Sequence, residues 1–182
     1  MEYKLIRSGR KTAAIQIVGG EVIVRAPNRM PLTEINAFVS SHQRWIEEKL
    51  AKQKELKQAS EALPKLSYEE IKELADAALE LIPKRVQHYA EILGVSYGNI
   101  TVRNQRTRWG SCSGKHNLNF NCLLMLAPRE VLDAIVVHEL CHIKEMNHSK
   151  AFYNLVESVY PDYKIWDKWL KENGQLLLSR MI

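Results

Sequence analysis

No stretch of this sequence approaches the roughly 18–20 consecutive apolar residues that span a bilayer. The opening residues MEYKLIRSGRK also lack the apolar segment of a secretory signal. Neither a membrane protein nor a secreted one is expected, and the chain reads as cytoplasmic. Cysteine is scarce. Cys112, Cys122 and Cys141 are odd in number and form no CxxC pair, which argues against a disulfide framework and suits a reducing compartment. All three read as small buried hydrophobes, although Cys141 lies where a nucleophilic or metal-ligand role is conceivable. There is no GxSxG, Walker or GxGxxG pattern, so serine hydrolase, phosphate-loop and dinucleotide-binding functions have no support. Neither sign of charge dominates: 26 basic residues against 21 acidic give a net charge of +5, an inclination towards anionic partners but no requirement for them.

What the chain does have is enough length and apolar content, 182 residues and 46% hydrophobic, for one compact domain over 1–182. Short apolar runs at 3–6, 13–18 and 22–25, separated by Ser8-Gly9 and Gly19-Gly20, predict an antiparallel β-meander over about 1–30. A helical connector is expected over about 32–94. Helical spacing governs 32–50, a Lys/Glu-rich solvated extension follows over 51–62, and a helix then begins at the Ser67/Glu70 capping box and stops near Gly94. The remaining 95–182 forms the expected catalytic core, with strands at 100–102, 108–112 and 117–124 and then three helices. Strands and helices in separate runs make the fold class α+β.

The helix opened by Ala127-Pro128 carries apolar residues on two sides, Leu132, Val136, Leu140 and Ile143 on one and Val131 and Ile135 on the other, so it should lie centrally. On it stands His138-Glu139-Leu140-Cys141-His142, the HExxH pattern. Histidines four apart stack on one helix face and can share a zinc ion, while the glutamate, about 100° round the helix, reaches a metal-bound water as general base. With six histidines in the chain, that arrangement is an improbable accident. A catalytic zinc needs a third protein ligand. Glu145 on the same helix lies roughly 10 Å along the axis from His138, too far to share an ion. His148, after the expected helix end at Met146-Asn147, can turn back over the metal and is the favoured ligand, with Glu157 on the next helix as runner-up.

Arg108-Trp109-Gly110-Ser111-Cys112, the segment Val137 to His142, and Asn147-His148-Ser149 together resemble the YgjP-like family of zinc metallopeptidases, which is related to SprT-like proteins. The resemblance covers nearly the whole chain. It implies a zincin architecture, a small antiparallel or mixed sheet beside the HExxH helix, with Zn2+ on His138, His142 and His148 and Glu139 as the base. It does not fix the substrate. The segment 103–115 carries Arg103, Arg106, Arg108 and Lys115 without an acidic residue, a candidate site for a nucleotide phosphate, a nucleic-acid backbone or a substrate carboxylate. The bland alternative is a solvated strand edge.

Three functions are therefore carried forward: hydrolysis of a peptide or protein substrate, hydrolysis of a nucleotide phosphoanhydride, and a non-enzymatic zinc and nucleic-acid module whose fourth ligand could be Cys141. Asn117 to Asn121 is the candidate edge for an extended peptide. Tyr153, Tyr160 and Arg108 are the candidates for oxyanion stabilisation.

Overall fold

A computed structural model describes residues 1–181. The backbone forms two compact units, Met1–Ala62 and Leu63–Ile182, and the helical connector expected over 32–94 is divided between them. Among the described residues, no helix is long and apolar enough to cross a membrane.

The first unit holds β1 (Lys4–Ser8), β2 (Ala14–Val18), β3 (Glu21–Pro27), α1 (Leu32–Ser41) and α2 (Gln43–Ala62). Gly19 and Gly20, with φ of 61° and 86°, make the two-residue turn that joins β2 to β3 as an antiparallel hairpin. The expected meander is nevertheless corrected. The strand order is β1-β3-β2, with β1 parallel to β3. β3 takes the central position because it carries the most deeply buried face, Val22, Val24 and Ala26, so the connection after β1 crosses to the far edge of the sheet. Arg7 fastens that pairing through its guanidinium, which donates to the carbonyls of Pro27, Asn28 and Met30. Ile35, Val39 and Ile46 complete this core. The helix expected over 32–50 breaks at His42, whose ring and backbone bond back to Phe38 and Val39. Ile46 is the buried residue of α2, which is otherwise solvated as its composition implied.

In the second unit, α3 (Tyr68–Leu93) opens with the reciprocal Ser67/Glu70 capping box and closes on Gly94 at φ 61°. A mixed sheet follows, in the order β4 (Ile100–Arg103), β6 (Leu118–Asn121), β5 (Gly110–Cys112). β4 runs parallel to β6 and β5 antiparallel to it. Two expectations change here. Of the expected edge over 117–121, residues 118–121 form the central strand of the sheet, so the edge open towards α4 belongs to β5. The strand expected over 117–124 stops at Asn121, whose side chain accepts from the Leu123 amide and starts a 3-10 turn, Cys122–Leu126. Cys122, Leu123 and Leu124 are all fully buried, so their unbroken apolar run looked like a strand.

α4 (Arg129–Cys141), α5 (Lys150–Val159) and α6 (Tyr163–Ser179) complete the unit. α4 is central as predicted: seven of its apolar side chains are buried, Asp133 and Glu139 with them. Arg85 of α3 grips the buried Asp133 through both carboxylate oxygens at 2.6 and 2.9 Å and also reaches the Tyr89 hydroxyl, tying α3 to α4. The architecture is α+β, with a small mixed sheet beside the HExxH helix.

Candidate metal centre

α4 sets His138 and His142 one turn apart. Although the helix ends at Cys141, His142 keeps right-handed helical geometry, so both rings stay on one face with centroids 4.9 Å apart. The chain then turns through 143–148, and the Ser149 hydroxyl caps α5 by accepting from the Phe152 amide. That cap delivers His148 back over α4, its ring 4.9 Å from His138 and 4.7 Å from His142. One ligand atom from each of the three lies within 4.8 Å of the others. Beneath them Phe152, fully buried, lies 4.6–4.9 Å from all three rings. It is the apolar floor of the site.

The nitrogens are directed as well as gathered. His142 Nδ1 lies 3.1 Å from the Glu145 carbonyl, which can only accept, so Nδ1 carries the proton and Nε2 is left bare. Glu145 thus serves through its backbone, not through the carboxylate. His138 Nδ1 lies 2.9 Å from the Tyr163 hydroxyl. His138 and His148 face each other Nε2 to Nε2 at 3.0 Å, near the roughly 3.3 Å that tetrahedral ligands about 2.05 Å from zinc would show. Burial first, and the neighbouring histidines and Lys171 next, hold His138 down to about 3. Burial likewise lowers His142. Neutral imidazoles are what a metal ligand requires, so the donor set fits a zinc-type ion.

Glu139 is 6% exposed. Burial pushes its carboxyl up to about 7 against the backbone hydrogen bond from Cys112 and the charge of Arg108, within the range useful to a general base at neutral pH. β5 explains that contact. Trp109 bonds to Asn121, the last residue of β6, and Ser113 to Asn117 just before that strand, so the polar groups of Gly110 and Cys112 point away from β6, towards α4.

The model of the family described as "YgjP-like, metallopeptidase domain" matches residues 11–76 and 64–173. The chain belongs to the YgjP-like family. That membership makes this YgjP-like protein a metal-dependent hydrolase by family and implies a metal ion, in keeping with the histidine cluster. The chain is 40% identical over 58 residues to the UTP pyrophosphatase of Escherichia coli (strain K12), which is 32% of this chain and 35% of that protein. It therefore spans about a third of that curated relative's length. Among solved structures, it resembles the metallopeptidase zymogen abylysin of Pyrococcus abyssi, with a TM-score of 0.47, 22% identity, and 52% of this chain and 97% of the other covered. It also resembles the metallopeptidase zymogen jannalysin of Methanocaldococcus jannaschii, with a TM-score of 0.44, 25% identity, and 52% and 96% covered.

The other expected site residues of this YgjP-like chain divide. Arg108 is exposed and acts electrostatically on Glu139. Arg103 ends β4, and Arg106 is exposed in the following loop. The fully buried Asn121 clamps that loop by donating to the carbonyls of Gln105 at 2.7 Å and Arg108 at 2.9 Å. Glu157 pairs with Lys164 at 2.8 Å and, among the described residues, is no part of the histidine cluster. Neither is Cys141, fully buried with its thiol pushed up to about 12 by burial. Tyr160 donates to the Glu130 carbonyl and packs on Tyr89, so it is engaged with α3 and α4. Tyr153, 40% exposed, stacks on His148 at 6.1 Å. Sequence reasoning missed Tyr163, Phe152 and Lys171. The first two lie in helical apolar stripes and the third in a charged run, so none carried a signal of its own.

Proposed function

We propose that this protein is a zinc-dependent hydrolase, with His138, His142 and His148 as the metal ligands, Glu139 as the general base and a peptide bond as the scissile group. The observation that carries this reading is the convergence of three imidazoles beside a buried carboxylate held at the edge of a strand. When bound, zinc would supply Lewis acidity at these three histidines and make a water there more acidic. Glu139 accepts the proton from the attacking water and returns it to the leaving amine. The Cys112 amide keeps its carboxylate aligned, and burial keeps that carboxylate basic enough to take the proton. An extended peptide would add to the free edge of β5, where the amide and carbonyl of Gly110 and the carbonyl of Cys112 point outward.

A second reading is hydrolysis of a nucleotide phosphoanhydride, favoured by two observations. Arg108 brings positive charge to the site, with Lys171 acting on His138 while paired to Asp167, and the matched Escherichia coli protein is named a UTP pyrophosphatase. The three residues of β5 also offer a short grip for a long peptide, whereas phosphates need cations more than an edge.

The test is purified protein with defined zinc content, assayed against a peptide library and a nucleoside triphosphate panel beside Glu139→Gln. Peptide cleavage lost in the variant, with zinc retained, supports the first reading, and pyrophosphate release lost in the same way supports the second. Equal turnover by both proteins on every substrate overturns Glu139 as the base.

A further inference from the structure

We infer that Tyr163 is a positioning residue, one that fixes His138 as an Nε2 ligand by engaging its Nδ1 in a hydrogen bond. The inference rests on the metal reading above and deepens it. An imidazole at the end of a helical side chain can offer either nitrogen to an ion, and which one is bound decides where the ion sits. For His142 the choice is made by its own chain, through the Glu145 carbonyl. For His138, half-buried in the last turn of α4, the backbone carbonyls one turn earlier are spent on the helix itself, so the hold must come from another element. α6 provides it. Its first residue, Tyr163, is 4% exposed, with its hydroxyl 2.9 Å from His138 Nδ1 and its ring nearly parallel to the imidazole, at 6.0 Å and 21°.

The two contacts act together. The ring restricts rotation of the imidazole, and the hydroxyl, shielded from water, occupies Nδ1 and accepts from it when that nitrogen carries the proton, as it must when Nε2 binds a metal. That leaves Nε2 facing His148 Nε2 across 3.0 Å, a separation that suits an intervening cation and is poor for two bare lone pairs. An acceptor on the far nitrogen also makes the near one a better donor, and losing such a partner typically weakens metal binding about 10–100-fold. The α6 amino terminus is itself held at its place by the bond from the Tyr163 amide to the Tyr160 carbonyl, so the phenol belongs to a fixed corner between α5 and α6.

The test compares the wild type with Tyr163→Phe, which deletes the oxygen and keeps the ring, and with Tyr160→Phe, which deletes a tyrosine oxygen away from the cluster. Zinc affinity is measured by chelator competition, and the melting temperature of each metal-free protein is recorded. Tyr163→Phe should weaken zinc binding about tenfold or more with little change in metal-free melting, while Tyr160→Phe should leave zinc affinity unchanged. In zinc-loaded wild type, nitrogen-15 shifts of the His138 ring should show Nδ1 protonated and Nε2 on the metal, a measurement that needs no variant. Equal zinc affinity in wild type and Tyr163→Phe, or a metal-bound Nδ1, overturns the positioning role and leaves the metal reading intact. A wild type that binds no zinc overturns both.

Discussion

The space beside Gly110 is filled by the carboxylate of Glu139: a Cβ built on that glycine would lie 2.7 Å from Oε1 and 2.8 Å from Cγ. Gly110 is not among the glycines with positive φ, so its backbone conformation does not require glycine. The requirement is room, and what needs the room is the proposed base. Strand β5 and helix α4 therefore meet at one point where the strand gives up a side chain and the amide two residues on, that of Cys112, engages the carboxylate.

Gly110→Ala should displace that carboxylate by a fraction of an ångström to an ångström without touching an imidazole. Misplacement of a reacting group on this scale reduces turnover about 100-fold. The expected result is a fall in kcat of that order with zinc content unchanged, measured by steady-state kinetics and metal analysis on one preparation. Full activity in Gly110→Ala would show that the position of Glu139 in this structure is irrelevant to the chemistry.

His148 and Glu157 compete for the third ligand position, and the geometry separates them. His148 Nε2 is 3.0 Å from His138 Nε2, while Glu157 is occupied by Lys164. His148→Ala should leave two ligands and strip zinc under mild chelation, whereas Glu157→Ala should keep full stoichiometry. The reverse pattern in metal analysis would reassign the ligand.

The parts of this site that the sequence disclosed are those with a fixed local period. Histidines four apart on a helix face must meet, and the Ser67/Glu70 box and Gly94 mark helix ends whatever surrounds them. His148 was reachable because the helix before it had to stop. The parts that stayed hidden depend on pairing across the chain. Nothing in residues 3–25 tells β1 to lie parallel to β3 on its far side, and nothing in 117–124 distinguishes a buried strand from a buried 3-10 turn except the Asn121 side chain. Tyr163 and Phe152 escaped for the same reason: each owes its role to a partner on another element, His138 in the one case and three imidazoles in the other.

Arg108 distinguishes the two substrate readings. Its charge already acts on Glu139, and a charge-assisted contact to phosphate contributes about 1.5–3 kcal/mol. If nucleotides are the substrate, Arg108→Gln should raise KM for them by about tenfold or more and flatten its dependence on salt. With a neutral peptide the same variant should change KM little. An unchanged nucleotide KM would remove Arg108 from phosphate recognition.

Away from the metal, Tyr160 makes stability depend on alkaline pH. Burial, and the nearby Asp133 after it, push its phenol up to about 12 from roughly 10 in an unfolded chain. Between those values the unfolded chain gives up a proton that the folded one keeps, so the unfolded state binds fewer protons and stability falls as pH rises. The contribution is fully present below about pH 10 and is lost as pH climbs through about 12. Tyr160→Phe removes the ionisable group while keeping the ring against Tyr89. Urea unfolding at pH 8, 10 and 11 should therefore show the wild type losing stability more steeply than Tyr160→Phe over the upper interval, with the difference isolating Tyr160 from the other buried tyrosines. Parallel losses in the two proteins would mean that the Tyr160 phenol ionises as freely folded as unfolded.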